Sequence, residues 1–311
     1  MHETDSAPRF RFAPRLTSQQ VLPQTAAGTP EDYQDREGYL PAFIDPGMPV
    51  ALPSLGEALR RDVVSFAWKG AQTQVLDYIH FSAVVSRSRR LPIFSACNID
   101  GAAAKSVARS NAWRYDPRIP RDCQILDGVY GDERDGYFSR GHMTRRQDPD
   151  WGSEDLARRA DADTFHVTNA APQVQDFNAG LWGRIEDYIL ANAKRDSMRV
   201  SVFTGPVFAD DDPVIHEVQV PVRFWKVLAF VHDETAQLTA TGYVASQARA
   251  IADLGHKTFV FGDIEHQQRP LAAIESLTGL SFGELTGRDV LAGAGKDFAA
   301  VLREDRDIML A

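Results

Sequence analysis

The chain has only two cysteines, Cys97 and Cys123, in 311 residues. Their separation matches neither a zinc-knuckle spacing nor a C-x-x-C redox pair, so the sequence carries no signature of thiolate zinc or dithiol chemistry. Free cysteine is among the most buried residue types, and two buried free thiols are expected here; a single disulfide is the alternative in an exported protein. Long hydrophobic runs are also lacking. None approaches the roughly 18 residues of a membrane span, and Met1 to Phe10 are polar and acid-containing, unlike a signal peptide. The expectation is a protein without a membrane segment, its compartment open between the cytoplasm and export by a signal-independent route. Neither G-x-G-x-x-G nor G-x-x-x-x-G-K-[ST] occurs, which leaves nucleotide-cofactor folds without motif support. An overall basic excess is missing too: the net charge is −9, whereas phosphate recognition usually shows itself as surplus Lys and Arg.

What is present is ordinary for a globular domain with a substantial core, at 43% hydrophobic and 25% charged residues. The charge is uneven: residues 60–160 hold 17 Lys/Arg against 13 Asp/Glu, with a basic concentration at Arg87, Arg89, Arg90, Arg109, Arg114, Arg140, Arg145 and Arg146. Taken alone, a solvated face of locally paired arginines explains this better than a nucleic-acid surface. Residues 1–55 are broken by Pro23, Pro30, Pro41, Pro46, Pro49 and Pro53, and read as an extended arm on a main domain of residues 56–311. β-Branched and aromatic runs predict strands at Asp77–Val85, Leu91–Ile99, Thr164–Thr168, Arg199–Thr204, Arg223–Val231 and Leu238–Val244. Helical spacing predicts helices over Asp176–Lys194 and Leu271–Leu277, the second stopped by Gly279. Clustered strands with inserted helices make an α+β fold, a mainly antiparallel sheet with helices packed on its faces.

Chemistry concentrates in one stretch. G-Y-F-S-R-G-H-M-T-R-R-Q-D-P-D-W-G occupies 136–152, and T-F-H-V-T-N-A-A-P-Q-V-Q-D-F-N-A-G-L-W-G-R-I-E occupies 164–186. Phosphodiester hydrolysis needs a base for water, a divalent ion to stabilise charge, and cations to hold the polyanion. His142 can be the base, since an imidazole of ordinary pKa near 6.5 is largely neutral above pH 7 and would lose activity below about pH 6.5. Arg140 offers a planar fork to phosphate oxygens, or else an ion pair with Asp135 or Asp148. Arg145 and Arg146, and with them Arg89 and Arg90, are candidates for backbone contacts without sequence specificity. Gly141 reads either as a close approach to phosphate or as a turn needing positive φ. Asn178 and Glu186 are eight residues apart, about 80° and about 12 Å on a helix. Both therefore cannot ligate one Mg²⁺ directly; either one acts through water or one is structural. Trp182 reads as a core residue rather than a base-stacking platform.

R-G-H-M at 140–143, T-N-x-x-P-Q at 168–173 and F-N-x-x-x-W-x-x-x-E at 177–186 together resemble the DNA/RNA non-specific endonucleases of the Serratia nuclease and endonuclease G type. T-G-P-V-F at 204–208, F-W-K-V at 224–227 and E-S-L-T-G-L at 275–280 extend the resemblance over roughly 60–290. The resemblance implies a ββα-metal (His-Me finger) fold and a Mg²⁺-dependent endonuclease acting on DNA and RNA, with Mn²⁺ as a substitute and 5′-phosphate ends as product. It further implies His142 as base, Asn178 as direct metal ligand, Glu186 acting through water, and Asn169 as an active-site residue that orients the others. The sequence departs from the pattern at Ser139, where Asp is usual, and at Leu190, where the Serratia type has a basic residue that Arg184 or Lys194 could replace. These departures motivate a second reading, a catalytically weakened nucleic-acid-binding or regulatory protein. The acidic net charge motivates a third, a small-molecule phosphodiesterase. A homodimer and an immunity or sensor protein are both compatible partners.

Overall fold

The computed structural model describes residues 28–175, 177, 181–255, 266–302 and 307. In chain order its main elements are α1 (Glu57–Asp62), β1 (Leu76–Asp77), β2 (Phe81–Val85), β3 (Pro92–Asp100), β4 (Ser139–His142), α2 (Glu154–Thr164), β5 (Ala170–Gln173), α3 (Leu181–Arg195), β6 (Arg199–Val207), β7 (Arg223–Val231), β8 (Leu238–Ser246), α4 (Ala248–Asp253), β9 (His266–Arg269), α5 (Leu271–Thr278) and β10 (Ala300–Val301). Eight strands form one sheet in the order β10-β9-β8-β7-β6-β3-β2-β1, antiparallel at every pairing. β4 and β5 pair separately as an antiparallel hairpin.

The centre of the sheet is buried on both faces, which is why the interior of β7 reads as an apolar run broken only by Lys226 rather than as an alternating one. Phe224, Leu228 and Phe230 of β7 share a core with Trp182, Ile185 and Ile189 of α3. The intervening Trp225, Val227 and Ala229 share the other core with Leu271 and Ile274 of α5. The strand's period of two thus assigns each residue to one helix or the other.

The strand expected at Arg223–Val231 is present with those bounds, and those expected at Arg199–Thr204 and Leu238–Val244 run on to Val207 and Ser246. Leu91–Ile99 corresponds to β3. Asp77–Val85 is not one strand, because His80 adopts φ of 66° and turns the chain between β1 and β2. Thr164–Thr168 is not a strand either: α2 runs through Thr164 and a 3-10 turn follows at Val167–Asn169. The buried residues of α2 are Ala157, Ala160, Asp161, Asp163 and Thr164, so no strong apolar period announces it. The two acids are buried because Arg146 and Arg36 pair with them. α3 falls within the helix expected at Asp176–Lys194, where residues 176 and 178–180 lie outside the described residues. α5 ends as expected, at Gly279 with φ of 71°. Cys97 and Cys123 are free and buried.

Of the N-terminal segment, residues 28–55 lie on the domain. Tyr33, Tyr39, Phe43 and Val50 are buried, the Tyr33 hydroxyl is 2.6 Å from Nε2 of His166, and Arg36 Nε donates to Asp163 at 3.0 Å.

α3 is seated by a backbone contact. At the end of β3, Gly101 N donates to Met198 O at 2.9 Å, and a Cβ at position 101 would stand 1.8 Å from the carbonyl oxygen of Ala193 near the end of α3. No rotamer can relieve a clash with backbone. Gly101→Ala is therefore expected to lower stability by about 1–3 kcal/mol, the usual range for overpacking, and to reduce any activity that depends on α3. Urea unfolding checks this, and an unchanged midpoint would show that the helix end has room to move.

Candidate active site

The R-G-H residues lie on β4, paired with the A-A-P-Q residues of β5 in the register Ser139↔Gln173, Arg140↔Pro172, Gly141↔Ala171 and His142↔Ala170. Gly141 has neither positive φ nor open space. A Cβ there would lie 1.9 Å from Oε1 and 2.2 Å from Cδ of Gln173, so the glycine exists to let the buried Gln173 side chain cross the hairpin. Both polar atoms of Gln173 are buried without a hydrogen-bond partner.

His142 ends β4 with its ring between two aromatic walls, Trp113 at 4.7 Å and Phe165 at 5.1 Å edge-on. Its Nε2 is buried without a hydrogen bond. Burial first, then the charges of Arg109 and Arg146, push the imidazole down to about 3, because the ring's cation would be both desolvated and repelled. His142 is therefore neutral throughout the physiological range. The exposed guanidinium of Arg109 sits 5.2 Å from the Phe165 ring centre. Neither Arg109 as a neighbour of His142 nor Trp113 was legible as part of the site; the W-R-Y-D-P run at 113–117 marks the place but not the proximity.

The chain just after His142 is locked by Asn169. Thr144 N donates to its Oδ1 at 2.8 Å, and its Nδ2 donates to Thr144 O at 3.0 Å and Thr164 O at 3.1 Å. Every hydrogen-bonding direction of that amide but one acceptor lone pair serves the backbone, so Asn169 orients the segment rather than reaching outward. Arg145 pairs with Asp187 of α3 while its Nη1 is buried without a partner. Glu186, one residue earlier on α3 and 8% exposed, meets Nζ of Lys226 at 3.2 Å. No hydrogen bond reaches its other oxygen among the described residues. Nearby, burial pushes the Asp148 carboxyl up to about 7 against the opposing charges of Arg145 and Lys226. Burial and then the charge of Asp161 push Asp150 up to about 8.

The remaining site candidates are distributed as follows. Asn178 lies outside the described residues. Arg140 donates to Leu126 O at 3.0 Å and lies over the Tyr130 ring at 4.8 Å; its ion-pair partner is Asp127 at 3.4 Å, not Asp135 or Asp148. Arg146 pairs with Asp161. Arg89 is tied to Asp212 at 3.1 Å and to Ala209 O, and Arg90 Nη2 donates to Glu217 O at 3.3 Å; none of these contacts involves the hairpin or α3. Arg184 is exposed on α3. Ser139 Oγ donates to Gln175 Oε1 at 3.0 Å and Glu133 Oε1 at 3.4 Å, turned away from Arg140 and His142. A carboxylate therefore stands beside position 139 even though the residue itself is Ser. Leu190 is in the core, and Trp182 is fully buried, its ring 5.1 Å from Nζ of Lys226.

Two outcomes are expected. In a histidine NMR titration of the metal-free protein, His142 should protonate near pH 3 rather than 6.5, and Arg109→Met should move the midpoint upward by removing a repelling charge. A midpoint near 6.5 would show that water reaches the ring freely. Gly141→Ala should cost at least tenfold in activity, because Gln173 or the hairpin must yield, and adding Gln173→Ala should return part of it; equal activity of all three proteins would overturn the packing argument.

Comparison with known proteins gives this geometry its family. The model of the DNA/RNA non-specific endonucleases matches residues 61–289. An uncharacterized protein of Sinorhizobium fredii, y4fB, is 38% identical over 279 residues, 85% of this chain and 42% of that protein. Mitochondrial endonuclease G of Bos taurus is 30% identical over 53% of this chain and 52% of its own length. A nuclease of Nostoc is 27% identical, covering 57% of this chain and 61% of its own. The chain thus spans roughly half the length of the curated relatives it matches. EndoG in its complex with the inhibitor EndoGI superposes with a TM-score of 0.52 at 22% identity, over 68% of this chain and 86% of that one. The hairpin β4–β5 followed by α3 is the ββα unit of that fold, and the chain belongs to the DNA/RNA non-specific endonuclease family.

Proposed function

We propose that the chain is a metal-dependent endonuclease that hydrolyses phosphodiester bonds of DNA and RNA, with residues 56–311 as the nuclease domain and residues 1–55 as an arm upon it. The observation that carries the reading is the neutral His142, held beside the cations of Arg109 and Arg146 on a hairpin that leads into the helix bearing Glu186. A neutral imidazole can accept a proton, and adjacent cations can hold the phosphate whose attack that proton transfer permits. Because Nε2 is closed off, we assign the acceptor as Nδ1.

The residues fit a hydrated hard cation, Mg²⁺ or Mn²⁺. Glu186 has one oxygen on Lys226 and the other without a hydrogen bond among the described residues, where it could accept from metal-bound water. Among the described residues no three His, Cys, Asp or Glu side chains could hold a metal together. A site with one direct ligand does not need them, since Mg²⁺ keeps several waters. Asn178 would hold the ion directly and Glu186 through water. When bound, it would stabilise charge on the phosphoryl and leaving oxygens. His142 takes the proton from the attacking water, and Asn169 keeps the turn after it in place. Arg140, Arg145 and the exposed Arg184 would bind backbone phosphates, with Arg146, tied to Asp161, adding its charge beside them; Arg89 and Arg90 lie on a separate contact network and would serve at the periphery. An inhibitor protein is a fitting class of partner, given that the EndoG structure is such a complex.

The weakened-binder reading rests on Ser139 and Leu190, yet the Ser139 hydroxyl touches neither Arg140 nor His142, and Leu190 is a core residue. The expected outcome is cleavage of plasmid, single-stranded DNA and RNA with Mg²⁺ and none with excess chelator. His142→Ala should lower the rate about 10²- to 10⁴-fold with nucleic-acid binding retained, and Ser139→Asp should change it by less than about tenfold, or about 1.4 kcal/mol of barrier. Wild-type protein inert with both Mg²⁺ and Mn²⁺, and awakened by Ser139→Asp, would overturn the reading in favour of a binder. Asn178→Ala should raise the Mg²⁺ requirement more than Glu186→Gln does; equal tolerance of both would move the ion elsewhere.

A further inference from the structure

Lysine is almost never fully buried unless paired, and Lys226 is fully buried in the middle of the sheet. It follows Trp225 and precedes Val227, both of which pack toward α5, so its side chain emerges on the opposite face with Phe224 and Leu228, toward α3. The register places Lys226 beside Thr204 of β6, and Thr204 beside Ser95 of β3. These three form a polar row across an otherwise apolar surface. At one end, Lys226 Nζ takes Thr204 Oγ1 at 2.7 Å, Glu186 Oε1 at 3.2 Å and the face of Trp182 at 5.1 Å. At the other end, the hydroxyl of Ser95 meets that of Thr144, two residues past His142 in the segment that Asn169 clamps.

A buried charge with so few degrees of freedom is an expensive way to fill a core, because apolar residues of the same volume usually serve stability as well or better. Its distinctive effect is directional: it fixes one oxygen of Glu186 and thereby the direction of the other. We infer that Lys226, held by Thr204, is a positioning residue that orients Glu186 toward the ion, an inference that rests on the metal reading of the site. The sheet thus sets both sides of the site, Glu186 through Lys226 and the His142 segment through Ser95. Arg145, the other cation near Glu186, spends its hydrogen bonds on Asp187 and Gln147 instead.

The test reads metal binding rather than turnover. Free Mn²⁺ is titrated by electron paramagnetic resonance into the wild type, Lys226→Met, Glu186→Gln and the double variant, without nucleic acid, with folding checked by circular dichroism. Lys226→Met should weaken Mn²⁺ at least fivefold, Glu186→Gln by a similar factor, and the double variant no further than either, because the lysine acts through the glutamate. Lys226→Arg should recover part of the loss. Folded Lys226→Met with wild-type Mn²⁺ affinity, or losses that simply multiply in the double variant, would overturn the proposal and leave Lys226 as packing. Should Lys226→Met fail to fold, Thr204→Val replaces it: loss of the hydroxyl should weaken Mn²⁺ about two- to threefold, and unchanged affinity would overturn the proposal as well. Wild-type protein that takes up no Mn²⁺ would overturn the metal reading itself and this role with it, an outcome distinguishable from failure of Lys226 alone.

Discussion

The ion pair between Lys226 and Glu186 is the constraint on which the rest of the site depends. It joins the centre of an eight-stranded sheet to the helix above it, inside a core where an unpaired charge would cost several kcal/mol. Neither partner can leave without stranding the other. The helix is consequently held in rotation as well as in height: apolar contacts of Trp182, Ile185 and Ile189 press it onto the sheet, and the absence of a side chain at Gly101 lets its far end come down to backbone contact. Hydrophobic burial is non-directional, so the charged pair and the glycine contribute what the greasy contacts cannot.

Native interiors rarely leave buried donors and acceptors unpaired, yet Arg145, Gln173, Trp182 and the Nε2 side of His142 have unpaired polar atoms, as do Trp68, Tyr130, Asp150, His266 and Arg269. The depressed imidazole of His142 has a double origin: burial desolvates the ring's cation first, and the charges of Arg109 and Arg146 then repel the proton.

The basic residues are largely structural. Of the seventeen Lys/Arg in residues 60–160, Arg89, Arg114, Arg118 and Arg146 are ion-paired, as is Arg36 outside that span; pairing is what composition alone favoured over a nucleic-acid surface, though the acids are largely buried rather than on a solvated face. Most of these pairs join segments distant in sequence, as Arg36 does the N-terminal segment and α2, whereas Arg118 and Asp116 are two residues apart. The same pairings explain why α2 was invisible to a hydrophobic period and was read in part as a strand. Its inward face sets two acids, Asp161 and Asp163, beside its alanines, and arginines from elsewhere in the chain make their burial affordable.

The order and spacing of R-G-H-M, T-N-x-x-P-Q and F-N-x-x-x-W-x-x-x-E were enough by themselves to determine the family and the ββα arrangement, because those signals are local: a hairpin strand, its partner and the helix that follows lie within 50 residues. The buried central strand at Arg223–Val231 was equally legible, since β-branched and aromatic content persists whatever packs on it. Tertiary structure alone decided the environment of each chemical group. That Arg109, Trp113 and Phe165 surround His142, that Gly141 yields space to Gln173, and that Lys226 meets Glu186 across 40 positions of sequence are consequences of strand order and of which face each residue takes. Sequence spacing does not encode those distances, and the protonation of an imidazole or the direction of a carboxylate depends on them through burial and Coulomb's law.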